Sequence, residues 1–194
     1  MMLRRLPLWP TLIVLIAVGI MIRLGFWQLD RLHQKEALLA RYGAAQAMSS
    51  EAPWPRNAAE TAQRLYRRAT LDCRTVTGLT AIAGQSSSGQ PGQAHVADCR
   101  LADGSKARIV LGWSRDPAAV AWPGGAAGGV IAPGPRLIAD PPLAGLAASA
   151  RPDPGAIPNN HLAYAVQWFL FAGVALVIYA LAVRKRLAAD APRR

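Results

Sequence analysis

Three side chains late in the chain would share one face of a helix, because His161, Tyr164 and Trp168 follow one another at steps of three and four residues. A neutral imidazole is a metal ligand, and aromatic and aliphatic neighbours suit a flat, greasy macrocycle. The chemistry this combination points to is axial ligation of a heme iron by His161 at a membrane interface. Spacing alone favours the plainer reading of the same residues, a histidine in an aromatic interfacial belt, and leaves ligation as the alternative. Trp27 and Gln28 fall at the outer end of an earlier apolar run, at about the same depth as His161, so a site shared by two helices is expected. Gln167 is the one polar residue well inside the later run, and its amide should meet a partner across a helix interface or on a ligand.

Other chemistry has little to stand on. There is no P-loop, no Gly-x-Ser-x-Gly elbow, no His-Glu-x-x-His and no Cys-x-x-Cys, so no enzyme activity is expected. Ser86 to Ser88 sit in a Gly/Gln-rich stretch with no acid-base partner nearby in sequence, and His33 and His95 read as structural or surface groups. The net charge of +11 suggests nucleic acid until the charges are located. Arg4, Arg5, Arg184, Lys185, Arg186, Arg193 and Arg194 crowd the two tails against Asp190 alone, while the middle is nearly balanced.

The elements that must position these residues begin with two uncharged runs, Leu6–Ile22 and Leu162–Val183, each able to cross a hydrocarbon layer that needs roughly 20 residues. Pro7 and Pro10 lie in the opening turns of the first, where a missing backbone donor is tolerated. No small-x-small cleavage site follows, so an uncleaved anchor is expected. Basic tails around a balanced middle are the positive-inside pattern, which puts both termini in the cytoplasm and the middle on the opposite side. Cys73 and Cys99 then fall in an oxidising compartment where a disulfide persists; two buried free thiols are the other reading.

Between the spans, the proline-free stretch Gly25–Tyr42 continues the first helix as a stalk. Alternation over 64–76, 94–101 and 107–113, with the turn signal Asp103-Gly104 between the last two, predicts strands and a hairpin; Val130–Ala132 and Arg136–Ala139 read as short edge strands. Gly84–Gly92, Gly124–Gly129 and the proline-rich 133–158 read as loops. The expected fold is an α+β membrane protein in which two transmembrane helices flank a small antiparallel β domain. Its parts are a tail and first span over 1–23, an exported region over 24–160 (stalk 24–46, β domain 64–140, Pro-rich linker 141–158), a second span over 161–183 and a basic tail over 184–194.

Two segments resemble the terminal signatures of the surfeit locus protein 1 family: Leu24-Gly25-Phe26-Trp27-Gln28-Leu29-Asp30-Arg31 and Asn159-Asn160-His161-Leu162-Ala163-Tyr164-Ala165. Weaker matches follow in order at Tyr66-Arg67-Arg68, Gly92–Val96, Asp103-Gly104 and Leu111-Gly112-Trp113; Gln167 stands where the family commonly has Thr. The resemblance implies a chaperone that binds heme A, transiently or substoichiometrically, or delivers it to the catalytic subunit of cytochrome c oxidase during assembly. By resemblance His161 is the heme ligand, Tyr164 and Trp168 line the site, and Trp27, Gln28 and Arg31 orient the helices or meet a propionate. The partners implied are the oxidase catalytic subunit, a heme A synthase and membrane lipid, with no nucleic acid. A bacterial inner membrane is expected, since no transit leader precedes the first span. A cofactor-free scaffold that holds oxidase subunits together is the alternative.

Overall fold

A computed structural model of the chain describes residues 7–189. The basic residues Arg4, Arg5, Arg193 and Arg194, and Asp190, on which part of the topology expectation rests, lie outside the described residues. The chain forms two compact units: one holds the first helix through Leu38 together with the chain from Pro158 onward, and the other is Leu39–Ile157.

The first unit is built from α1 (Leu8–Ala47) and the last helix, here α3 (His161–Ala189). Good helix formers carry α1 unbroken from the apolar run into the polar stalk, so its 40 residues extend about 60 Å. Both helices are long and apolar enough to cross a membrane. The covered positions include Thr11, Val14, Val18, Met21, Gly25 and Gln28 on α1 and His161, Ala165, Trp168, Ala172, Ala175 and Tyr179 on α3, with Leu24, Leu29 and Phe169 beside them. Alternating steps of three and four place each set on one stripe, the seam of two helices packed at a shallow angle. They run antiparallel. His161 meets Gln28 at one end, Phe169 packs edge-on against Phe26 with ring centroids 5.4 Å apart, and the Thr11 and Tyr179 hydroxyls bond near the other end. The helix continues beyond Val183, so Arg184, Lys185 and Arg186 stand on its last turns.

In the second unit a short helix, α2 (Ala58–Arg64), starts where the Asn57 side chain accepts from the Glu60 N–H at 2.8 Å. Five strands follow: β1 (Arg68–Gln85), β2 (Pro91–Leu101), β3 (Lys106–Ser114), β4 (Gly125–Ala132) and β5 (Arg136–Ala139). They close into a barrel in the order β1-β2-β3-β5-β4. Ile109, Leu111, Ile131 and Leu137 are fully buried inside it, with Ala69, Leu71, Ala97 and Ala127 around them. Cys73 on β1 and Cys99 on β2 are bonded, closing a loop across 26 positions, a link that stabilises by about 2 to 4 kcal/mol.

Five expectations are corrected. The sheet is mixed, not purely antiparallel: β3 and β5 pair in parallel through Ile109↔Leu137 and Val110↔Ile138. A closed ring with an odd number of strands cannot alternate direction all the way round, so at least one neighbouring pair must be parallel. The supposed edge strands are therefore barrel staves without a free edge between them. The glycine-rich 124–129 is no loop, since β4 begins at Gly125 and Gly129 lies against β5 so closely that a Cβ there would collide with the Ile138 carbonyl oxygen. Nor is 84–92 all loop, because β1 continues to Gln85 and β2 starts at Pro91. Finally, the Pro-rich linker is not free. Leu143 N–H donates to the Leu111 carbonyl at 2.8 Å, and Ala147 and Trp113 exchange backbone bonds at 2.7 and 3.0 Å, so this segment packs on the barrel with Leu143 and Leu146 against its core.

Candidate functional site

His161 is the first residue of α3, where Pro158 stops any earlier helix and Asn160 accepts the Tyr164 N–H at 3.3 Å. Its ring Nδ1 lies 2.8 Å from Gln28 Oε1. An amide oxygen only accepts, so Nδ1 carries the proton; in the neutral ring Nε2 then holds the lone pair, with no partner in the helix pair. That tautomer is the one a metal-ligating histidine uses, with the bond at the other nitrogen fixing the ring.

The helix pair brings Gln28 to His161 because Gly25 lets the helices close just below. A Cβ at Gly25 would stand 2.7 Å from the Phe169 ring. Ala165 and Ala172 supply the matching small positions on α3 and are 1% and 4% exposed. Gly19 and Gly173 have open space where a Cβ would go, so neither sets the helix spacing.

The remaining residues divide. Trp168 is half-buried beside the seam and meets Phe171 edge-on at 6.2 Å, while Tyr164 is 52% exposed on the flank of His161. Both stand on the His161 helix at a spacing that lets them border a ligand held by Nε2. Trp27 does not join this cluster: it lies about 100° round α1 from Gln28, is 41% exposed, and carries the Arg31 guanidinium 5.6 Å from its ring centroid. Arg31 in turn donates to Gln34 Oε1, and Gln34 donates to Asp30, so Arg31 belongs to a ladder along α1. Gln167 lies on the exposed side of α3 and makes no hydrogen bond among the described residues, which removes the helix interface as its partner. Phe169 was not singled out by spacing; the signal for it is its position eight residues beyond His161, one turn of packing opposite Gly25.

His95 is structural. It is 2% exposed, and its Nε2 lies 2.8 Å from Ser114 Oγ, which spends its own proton on the Asp116 carbonyl at 2.6 Å and so accepts from the ring. No group of three or more His, Cys, Asp or Glu side chains gathers among the described residues, so any metal held at His161 comes with other ligands of its own, as a heme iron does.

Fold and site together define a class: two span-length apolar helices, paired through a polar contact at one end, flanking a small mixed barrel with a disulfide. The chain belongs to the SURF1 family, whose model matches residues 15–134. That match runs from α1 through the barrel to the β4–β5 turn and includes Trp27, Gln28 and Arg31, while His161 lies beyond it. The family is associated with cytochrome c oxidase assembly. No curated protein and no solved structure matches the chain.

Proposed function

We propose that this protein is an assembly factor that binds heme A and delivers it to the catalytic subunit of cytochrome c oxidase during biogenesis, with His161 as the iron ligand. The observation that carries the reading is the His161–Gln28 bond, which holds the imidazole with Nε2 free. When bound, heme A is cargo and contributes an iron that takes axial nitrogen donors. Gln28 orients the ring and fixes its tautomer, Gly25 sets the helix spacing that brings Gln28 within reach, and Tyr164 and Trp168 offer aromatic surface to the macrocycle. Arg31 has the charge to meet a propionate only by leaving its ladder on α1. No step of covalent catalysis is assigned to the chain.

The same reading sets both helices in a bacterial inner membrane with both termini cytoplasmic and the barrel in the periplasm. Support comes from the basic end of α3 and from the Cys73–Cys99 bond, which persists in an oxidising compartment. The oxidase catalytic subunit, and a heme A synthase as donor, are the partners such a carrier requires.

The test is an absorption spectrum of the full chain co-produced with a heme A synthase and purified in mild detergent. The native chain should carry heme A, His161→Ala should lose it or shift its bands, and Gln28→Leu should weaken retention by about 10- to 100-fold without abolishing it. A native chain that captures oxidase subunits while free of heme would replace the carrier with a cofactor-free scaffold.

A further inference from the structure

Gln167 carries the only side-chain amide between Leu162 and Val183, and the helix pair does not use it. Tyr179, deeper in the same run, has its hydroxyl bonded to Thr11 on α1. Gln167 instead stands exposed and makes no hydrogen bond among the described residues. With α3 in a membrane, its amide faces hydrocarbon, where unpaired donors and acceptors are costly. A polar side chain in that place marks contact with something from outside the chain.

Its place on the helix narrows what that contact is. From His161 to Gln167 the helix advances about 9 Å and stops about 120° short of two full turns. Tyr164 lies about 60° round the same arc, Trp168 about 20° round it, and Phe171 is the neighbour four residues below Gln167. Trp168 meets Phe171 edge-on, while Tyr164 and Phe171 are both exposed. The flank that descends from His161 into the apolar run is therefore aromatic, with a single amide at its far side. Helical side chains lean back toward the N-terminus, which carries that amide up toward the level of Tyr164.

The inference rests on the carrier reading above, in which His161 holds the iron of heme A. The two propionates of a heme so held stay toward the polar end of α3, because carboxylates are costly to bury, and the opposite edge of the macrocycle enters the hydrocarbon. On that edge heme A carries the root of its isoprenoid tail, a carbon that bears a hydroxyl group. We propose that Gln167 Oε1 accepts a hydrogen bond from this hydroxyl and so makes the site select hemes with a hydroxyalkyl tail over heme B, which has a vinyl group in its place. A hydroxyl and an amide that would each lie unpaired in hydrocarbon satisfy one another, and a vinyl group leaves the amide without a partner. Tyr164 and Trp168 give any heme the same aromatic surface, so the choice among hemes falls to Gln167.

The test is a titration of the full chain in mild detergent with three probes: heme A, heme B, and heme O, which has the hydroxyalkyl tail of heme A but a methyl in place of its formyl group. Gln167→Met keeps the length of the side chain and removes its hydrogen-bonding groups. Because Gln167 bonds to nothing else in the chain, the variant should keep the native helix content and melting transition. It should weaken heme A and heme O alike by about 2- to 10-fold, the worth of one hydrogen bond, and leave heme B unchanged. An equal loss for all three hemes would reduce Gln167 to packing, and a loss confined to heme A would move the contact to the formyl group; either result, or no change at all, overturns the assignment. His161→Ala separates these failures from that of the carrier reading. A chain that binds heme A through His161 and ignores Gln167→Met sinks the hydroxyl contact alone, whereas a native chain that takes up none of the three hemes sinks the carrier reading and the contact with it.

Discussion

The two units bury opposite kinds of side chain. In the barrel the large apolar residues face one another, and Ile109, Leu111, Ile131 and Leu137 are sealed from solvent. In the helix pair the seam combines Val18 with the small Gly25, Ala165 and Ala172 and the polar Gln28–His161 contact, while Leu170, Ile178 and Val177 stand 59–62% exposed. The same residue types are thus sorted by the medium each unit is built for. Water drives the barrel's side chains inward. An apolar surround gives Leu or Ile no reason to turn in, so a helix pair within it associates through close backbone approach and polar contacts. The site sits in the unit where a polar contact is scarce and therefore informative.

The sharpest way to break this contrast is to truncate one leucine in each unit. Leu111→Ala should cost the barrel about 2 to 5 kcal/mol, because it empties a fully buried position, as read from a denaturant or thermal transition followed in the full chain. Leu170→Ala should change stability in detergent or lipid by less than about 0.5 kcal/mol, since its side chain is 61% exposed. Comparable losses at both positions would mean that α3 has an apolar packing partner, and the inside-out description of the pair would fail.

A smaller effect tests the seam itself. Gly25→Val forces a side chain into the Phe169 ring and should loosen the helix pair by about 1 to 3 kcal/mol, and on the proposed carrier function heme retention should fall alongside it. Phe169→Ala in the same chain makes room and should restore much of both. If Gly25→Val leaves heme retention unchanged, the spacing at Gly25 does not set the His161–Gln28 contact.

How much of this was legible depended on which force set each feature. The helices and the β2–β3 hairpin were readable because periodicity and the Asp103-Gly104 turn are local signals. The same holds for the shared depth of Gln28 and His161, which follows from counting residues along two apolar runs. What composition misread were the glycines of β4, whose role is to let β5 approach at Gly129, and the segment 141–150, whose backbone finds its partners on β3 and at the tip of β1. Both are settled by barrel closure, which joins strands far apart in sequence. Trp27 and Gln28 were read as one unit because they are adjacent, yet a helix turns about 100° per residue and sends them to different faces.

The smallest predicted effects concern pH and belong to the barrel unit alone. Burial pushes the Tyr66 phenol above its usual value of 10.0, with the nearby Tyr42 and Asp153 adding to the shift. Below pH 10 both folded and unfolded chains keep that proton, and the contribution is fully present. As pH rises past 10 the unfolded chain releases it first, so stability falls until the folded phenol ionises as well. On the acid side the Arg56 N–H holds Glu60 below 4.5, and the Ser105 hydroxyl and N–H hold Asp103 below 3.8. Their contribution is present above those values and is lost as pH falls through the lowered ones. Tyr66→Phe should therefore flatten the alkaline limb of the barrel's melting profile and leave the acid limb alone. Glu60→Gln with Asp103→Asn should do the reverse by a smaller amount, because both carboxylates are exposed to solvent screening. If Tyr66→Phe left the alkaline limb as steep as before, burial of the phenol would not be what ties the barrel's stability to high pH.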